Sequence, residues 1–190
     1  MKFYFVSDDS YFLLGIEAVL SESEVFPGFH SFYVNINRDD FSFVPEPKDV
    51  VVLAVFNLLT RRELMRLRAL SLCRMIIMFR AGPYRYLTDK YNPCLINWNT
   101  AKDDFLGLLN QLATRHIKWH QVPLKGADVL FYLGAGFSHD EVAEFLGLSS
   151  KSIYAIRRNV NILLGLGTCN SATSIILCRD IVEMGVYRKR

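Results

Sequence analysis

The hydrophobic patterning changes once along this chain, and that change bounds what it can fold into. Over roughly the first 113 residues, short apolar runs alternate with segments of helical spacing; from Pro123 onward every apolar pattern is helical. Phe3–Ser7, Phe29–Val34, Asp49–Phe56, Met75–Phe79 and Cys94–Trp98 are predicted strands. The unbroken Val/Leu content of the third fits a strand buried on both faces. Ser10–Leu20, Arg61–Leu70 and Lys102–Ala113 are predicted helices. In the second, Leu64, Leu67 and Leu70 share a face; in the third, Phe105, Leu108, Leu109 and Leu112 do. Strands alternating with helices imply an α/β domain over residues 1–113, a parallel sheet flanked by helices. Gly82–Lys90 reads as a loop. Residues 114–121 are polar and His-rich and read as a linker, with Trp119 placed to dock it. Residues 122–190 form an all-α domain of four predicted helices, Leu124–Leu133, Ser138–Leu146, Ser149–Leu164 and Ser171–Met184, with a loop over Gly165–Asn170.

Composition narrows the class. At 51% apolar and 22% charged residues the chain is not disordered, and 11 Gly with 6 Pro exclude a collagen-like repeat. Its longest apolar runs, such as Val50–Phe56, fall far short of the roughly 20 residues a spanning helix needs. The N-terminal apolar stretch stops at Asp8-Asp9, too short for a signal peptide. A soluble, cytoplasmic protein without membrane contact is expected. The net charge of +3 is spread over both halves, so no basic block announces nucleic acid by itself. Cys73, Cys94, Cys169 and Cys178 form no CxxC pair and read as small buried hydrophobes. His116 and His120 have helical ligand spacing, but no third ligand lies near and no Glu follows His116, so no metal site is expected. The first 113 residues contain no glycine-rich phosphate loop and no Ser/His/Asp set. No catalytic residue and no cofactor are expected; the chain does not read as an enzyme.

The informative stretch is residues 136–167. Ser138 with Glu141 three residues later is a capping-box pattern. Val142, Ala143 and Leu146 form an inner face, and Ala143 is small enough for a second helix to cross closely. Gly147 suits the left-handed residue that ends a helix, Leu148 the corner, and Ser149 the next cap. Two short helices joined so tightly predict a helix-turn-helix, whose second helix enters the DNA major groove. At about 100° per residue, Ile153, Ile156, Val160, Leu163 and Leu164 form one buried stripe. Lys151, Tyr154, Ala155 and Arg158 lie opposite, with Arg157 and Asn159 flanking. Arg158 is suited to guanine O6 and N7, and Lys151 with the first backbone N–H groups to a phosphate. The plainer reading makes Lys151, Tyr154 and Arg158 ordinary surface residues; the capped two-helix context favours DNA. By the same standard Arg61-Arg62 and Arg66-Arg68 are a solvated helix face, and Tyr187–Arg190 is a basic tail.

These residues resemble the LuxR/NarL-type (GerE-like) helix-turn-helix over about residues 122–185. The matching positions are Gly136-Phe137-Ser138, Val142-Ala143, Leu146, Ser149, Ser152-Ile153, Asn159-Val160 and Leu164-Gly165. The resemblance implies double-stranded DNA as partner, with Ser149, Lys151, Ser152, Tyr154, Ala155, Arg157, Arg158 and Asn159 as contact residues. It implies a dimer contact on the last helix, here Ile175, Ile176 and Val182. Pro123, Lys125 and Gly126 replace the usual Thr and Arg-Glu of the opening helix, and Ile156 the usual His of the recognition helix.

The first 113 residues resemble a response-regulator receiver domain. Asp8-Asp9 stand where a receiver's metal-binding acids end the first strand. Ala54 stands at the expected phosphoacceptor position, the Phe79-Arg80 region replaces the usual Thr/Ser, and Asn97 or Trp98 the usual Lys. Phosphoryl transfer needs a carboxylate nucleophile, which Ala54 is not. The resemblance therefore implies a degenerate pseudo-receiver with no phosphoacceptor, in a regulator similar to the RcsA-like auxiliary regulators. A homodimer, or a heterodimer with another receiver-containing regulator to which this chain is the auxiliary subunit, follows from it. A small-molecule sensor with a pocket in the N-terminal domain is the alternative from a different class.

Overall fold

The computed structural model describes residues 1–23, 30–38, 43–80, 86–88, 91–116, 118–166 and 172–189. The chain divides into two compact units, Met1–Trp119 and His120–Arg190.

The first unit runs β1 (Lys2–Ser7), α1 (Ser10–Ser21), β2 (His30–Asn35), β3 (Val50–Ala54), α2 (Leu58–Arg66), α3 (Arg68–Ser71), β4 (Arg74–Phe79), β5 (Tyr86–Thr88), β6 (Cys94–Asn97) and α4 (Lys102–Thr114). The strands form one sheet in the order β2-β1-β3-β4-β6-β5. Five are parallel; β5 pairs antiparallel with β6 at the edge. The parallel five have the 2-1-3-4-5 order of doubly wound, flavodoxin-like sheets. Every residue of central β3 is buried, as its all-apolar sequence predicts. Phe5, Val52, Ile76 and Cys94 align across the sheet. They belong to a core in which Leu13 of α1 and Phe105, Leu109 and Leu112 of α4 are buried. Tyr4, Val6, Val51, Leu53, Met75, Ile77 and Leu95, also buried, alternate with that row.

Polar side chains close the ends of the strands. Asp49, buried before β3, accepts from Lys2 N (2.8 Å) and Glu46 N (2.9 Å). Asn92, also buried, accepts from Met75 N (2.7 Å) and donates to Cys73 O (2.9 Å). Its backbone N–H donates to Lys118 O (2.6 Å), and Trp119 bridges it. Of the predicted linker 114–121, Thr114 thus closes α4, Lys118 and Trp119 are stitched to the first unit, and His120 opens the second.

Three expectations for this unit need correction. Part of the predicted loop Gly82–Lys90 is β5, a three-residue edge strand too short to show periodicity. The predicted helix Arg61–Leu70 starts earlier, at Leu58 behind an Asn57 cap, and breaks at Leu67, which is extended (φ −65°, ψ 121°) and exposed. Arg61 is 2% exposed and not part of a solvated face, because it lies one turn before Leu64 and Met65. Phe29, and residues 82–85 and 89–90 of the predicted loop, lie outside the described residues.

The second unit contains α5 (Leu124–Gly134), α6 (His139–Leu146), α7 (Ser150–Leu163) and α8 (Ala172–Lys189). Val129 and Leu133 of α5, Val142 and Ala143 of α6, and Ile153 of α7 form its core, with Leu146, Leu148, Ile156 and Ile175 packed around them. Burial of each large aliphatic side chain contributes roughly 1.5–3 kcal/mol. Two glycines set close helix approaches. A Cβ on Gly126 would stand 2.7 Å from Val160 Cγ2, and one on Gly134 would stand 2.6 Å from Arg179 Cδ. α8 continues through Gly185 beyond the predicted end at Met184. Ser171 and residues 167–170 of the predicted loop lie outside the described residues. Among the described residues, no helix is long and apolar enough to cross a membrane.

Candidate nucleic-acid interface

The turn between α6 and α7 is built from local hydrogen bonds. Ser138 Oγ accepts from Glu141 N (3.3 Å), and the Glu141 carboxylate accepts from Ser138 N (2.7 Å). That bond holds the Glu141 carboxyl below its ordinary range. α6 ends at Gly147, in the left-handed region at φ 63°, ψ 38°. There Leu148 N donates to Ala143 O (2.9 Å), the long bond of a Schellman cap. Ser149 then caps α7, accepting from Ser152 N (3.1 Å). The hydroxyls of Ser149 and Ser152 are also hydrogen-bonded to each other (2.8 Å).

α7 separates its faces sharply. Ile153, Val160 and Leu164 are buried and Ile156 is half-buried. Leu163 departs from the predicted stripe: it is 39% exposed, and Asn161 is buried in the same turn. The side chain of Asn161 accepts from Cys178 Sγ (3.2 Å), and its carbonyl accepts from Leu166 N (2.6 Å). On the outer face Lys151, Tyr154, Ala155, Arg158 and Asn159 are exposed, Tyr154 by half of its surface, while Ser152 and Arg157 are half-buried.

A second layer of contacts, not visible in the sequence, organises this face. The Arg157 guanidinium carbon lies 4.9 Å over the ring of Tyr154, and the ring of His139 lies 6.3 Å from the same ring. Burial lowers the His139 pKa; the charge of Arg157 lowers it further, and Asp140 pulls it back up. Asp140 accepts a short hydrogen bond from the Ser150 hydroxyl. That carboxylate stands at the first turn of α7, where a phosphate had been expected beside the backbone N–H groups. Lys151, Arg157 and Arg158 are the positively charged side chains of this helix.

The predicted dimer residues lie on α8. Ile175, Ile176 and Val182 are each half-buried, and Ile175 packs against the core of its own unit. Leu177, Cys178, Ile181 and Met184 are buried inside that unit. The helix also carries a buried ion pair that its sequence did not announce. Arg179 donates to Asp180 Oδ1 from Nη2 (2.7 Å) and Nε (3.1 Å), and to Gly134 O (2.6 Å). Elsewhere on the unit Tyr132, Phe137 and Phe145 form a mutual ring cluster, with Phe131 set edge-on to Tyr132.

In the first unit the crevice between the C-terminal ends of β1 and β3 is where such sheets bind ligands. The chain's own groups occupy it. The Asp8 carboxylate accepts from Phe56 N (3.0 Å) and Asn57 N (2.9 Å). Asp9 caps α1, accepting from Tyr11 N (2.8 Å) and Phe12 N (3.3 Å). Ser7 Oγ donates to the carbonyl of Ala54, which is fully buried. Trp98 packs against Phe56 and Phe12, at 4.5 Å and 5.0 Å between ring centroids. The Arg80 guanidinium lies 4.8 Å over Phe56. Asn97 is buried at the end of β6. Among the described residues, no group of three or more His, Cys, Asp or Glu side chains is placed to hold a metal ion.

No family model matches the chain, and no curated protein matches it. Solved structures of response regulators resemble it at low identity. RcsB, solved as two dimers bound to two parallel DNAs, is 14% identical, with a TM-score of 0.46 over 93% of this chain and 96% of that one. A second RcsB–DNA complex is 14% identical, with a TM-score of 0.46 over 94% and 96%. Full-length FixJ from B. japonicum is 15% identical, with a TM-score of 0.33 over 97% of each chain.

Proposed function

We propose that this chain is a cytoplasmic, non-catalytic transcription regulator of the LuxR/NarL type that binds double-stranded DNA, sequence-specifically and as a dimer, through α7. The observation that carries this reading is the capped α6–Gly147–α7 turn, with Lys151, Tyr154, Ala155 and Arg158 exposed opposite buried Ile153 and Val160. A helix held this way by its inner face presents its outer face to the major groove. Ala155, small and set between Tyr154 and Ile156, lets the backbone approach base edges. Arg158, one turn further on, is the base reader, suited to a bidentate bond with guanine. Lys151 and Arg157 take phosphates, and Ser149 and Ser152 hold the first turn in place for them. One such module makes a small interface, so specificity requires two on half-sites about one helical turn apart. α8, through Ile175, Ile176 and Val182, supplies the pairing surface.

The first unit is a receiver-like domain without the receiver's phosphorylation chemistry. Ala54 provides no nucleophile, and Asp8 is spent on the backbone after β3. Its part is assembly or docking.

The test is titration of the full chain against a duplex selected from a randomised pool, with single-base variants of that duplex, at several salt concentrations. Arg158→Ala is expected to cost on the order of 1–3 kcal/mol at one base position and to erase discrimination there. Lys151→Ala is expected to weaken all duplexes alike and lower the salt slope by about one. Uniform weakening by Arg158→Ala with relaxed specificity from Lys151→Ala would reverse the helix orientation. Enrichment of no duplex would overturn the reading.

A further inference from the structure

Two positively charged side chains near the middle of α7 are held very differently. Arg158 is exposed, whereas Arg157 is half-buried. The guanidinium carbon of Arg157 lies 4.9 Å over the ring of Tyr154, one turn back on the same helix. The ring of His139, the first residue of α6, lies 6.3 Å from that of Tyr154 at an angle of 40°. Among the described residues the buried Nε of Arg157 has no hydrogen-bond acceptor. A guanidinium whose Nε is buried and whose carbon rests against an aromatic ring has lost much of its freedom, and its terminal N–H groups are the ones left to meet an oxygen anion. Such ordering matters because a free arginine loses rotamer entropy on being fixed by a ligand.

We propose that Tyr154 is a positioning residue: its ring holds the Arg157 guanidinium at the rim of α7, so that Arg157 meets a DNA backbone phosphate already ordered. The proposal rests on the DNA-binding reading and assigns Tyr154 a role through Arg157 and not through a base or a phosphate of its own. The hydroxyl is dispensable in this arrangement; the ring face is not. His139 supports the ring from α6, which couples the arginine's position to the packing of the two helices. Burial lowers its proton affinity most, and the Arg157 charge lowers it further while Asp140 raises it. In the absence of DNA, His139 therefore responds to the Arg157 charge as well as to its own burial.

The experiment is a double-mutant cycle on the full chain with two readouts. The first is affinity and salt slope on the selected duplex. Arg157→Ala and Tyr154→Ala are each expected to weaken binding several-fold and to lower the slope by about one. Their combination is expected to do no more than either alone. Tyr154→Phe is expected to bind as the natural chain does. The second readout is the His139 titration followed by NMR without DNA. Arg157→Ala is expected to raise its pKa. Tyr154→Ala is expected to raise it as well, and by clearly less when Arg157 is already absent; Tyr154→Phe should leave it in place. Additive losses in affinity, or a Tyr154→Phe variant as weak as Tyr154→Ala, would overturn the proposal by giving Tyr154 a DNA contact of its own. Equal His139 shifts from Tyr154→Ala with and without Arg157 would overturn it too. If no duplex binds, the functional reading fails by itself, and the His139 cycle still decides whether Tyr154 holds Arg157.

Discussion

His120 shows at the residue scale how burial alone sets a charge state. It opens the second unit, and burial pushes its pKa down to about 4, against a weaker opposing hydrogen bond with the backbone at Leu163. The folded state therefore keeps this imidazole neutral over a range where the unfolded chain protonates it. Stability from this group is fully present above about pH 6.5, the unfolded value. It is lost as pH falls through the window from there to about 4, because the unfolded state binds the proton first. We expect unfolding of the second unit, followed by urea titration, to show this loss, and His120→Gln to flatten it. His139 contributes in the same direction, so the flattening is partial. An unchanged pH slope in His120→Gln would mean that the imidazole binds its proton equally in the folded and the unfolded chain. Arg157 and Tyr154 belong to this scale as well: their contact at 4.9 Å involves only two side chains, with the His139 ring 6.3 Å from that of Tyr154.

At the scale of elements, helix crossings decide which glycines matter. Gly126 lies in α5 where a Cβ would meet Val160 Cγ2 at 2.7 Å and Val122 Cγ1 at 3.3 Å. Valine is short and has no flexible end to withdraw, so Gly126→Ala should push α5 off α7. We expect a cost of about 1–3 kcal/mol, less the gain of up to about 1 kcal/mol from helix propensity. Gly107 in α4 has nothing within 4 Å of the same added atom. Gly107→Ala should therefore stabilise the first unit by roughly 0.5–1 kcal/mol. Chemical denaturation of both variants checks the contrast; equal effects would mean that the α5–α7 approach is looser than it stands. The same contrast explains what the sequence could disclose. The caps of α6 and α7 were legible because Ser138, Glu141, Gly147 and Ser149 act on backbone within a few residues. The exposed face of α7 followed from the 100° period. Asn161 and Arg179 were not legible: their partners Cys178 and Gly134 stand 17 and 45 residues away, and only the crossings bring them together. β5 escaped for a related reason, since its pairing with β6, and nothing local, makes it a strand. The break at Leu67 shows the limit of periodicity, which continued the helix through a residue that the fold leaves extended.

At the scale of the whole molecule, the proposed regulator makes one prediction about assembly and one about control. Assembly is the first. Ile176 is half-buried on α8, and Ile176→Glu should lower the sedimenting mass and weaken binding to a two-half-site duplex more than to a single half-site. If both are unchanged while the helices remain intact, α8 is not the pairing surface and the first unit must supply it. Control is the second. A receiver-type switch forms a bond between a carboxylate oxygen and phosphorus, and it needs a carboxylate nucleophile with a metal to hold the phosphoryl charge. Ala54 closes β3 with no such group, Asp8 is held by Phe56 N and Asn57 N, and Asp9 is held by the first turn of α1. Incubation with acetyl phosphate and magnesium should therefore leave both intact mass and DNA affinity unchanged. Supplying a nucleophile by Ala54→Asp should not supply a switch. The new carboxylate would enter a fully buried position, close to a strand end whose backbone amides already have an anion, at a cost of about 3 kcal/mol or more. A stable phosphoryl adduct on the natural chain, with tighter DNA binding, would mean that another group accepts phosphate. An adduct confined to Ala54→Asp would mean that Asp8 can leave the loop after β3, and that the missing carboxylate at position 54, not the closing of the crevice, is what prevents phosphorylation.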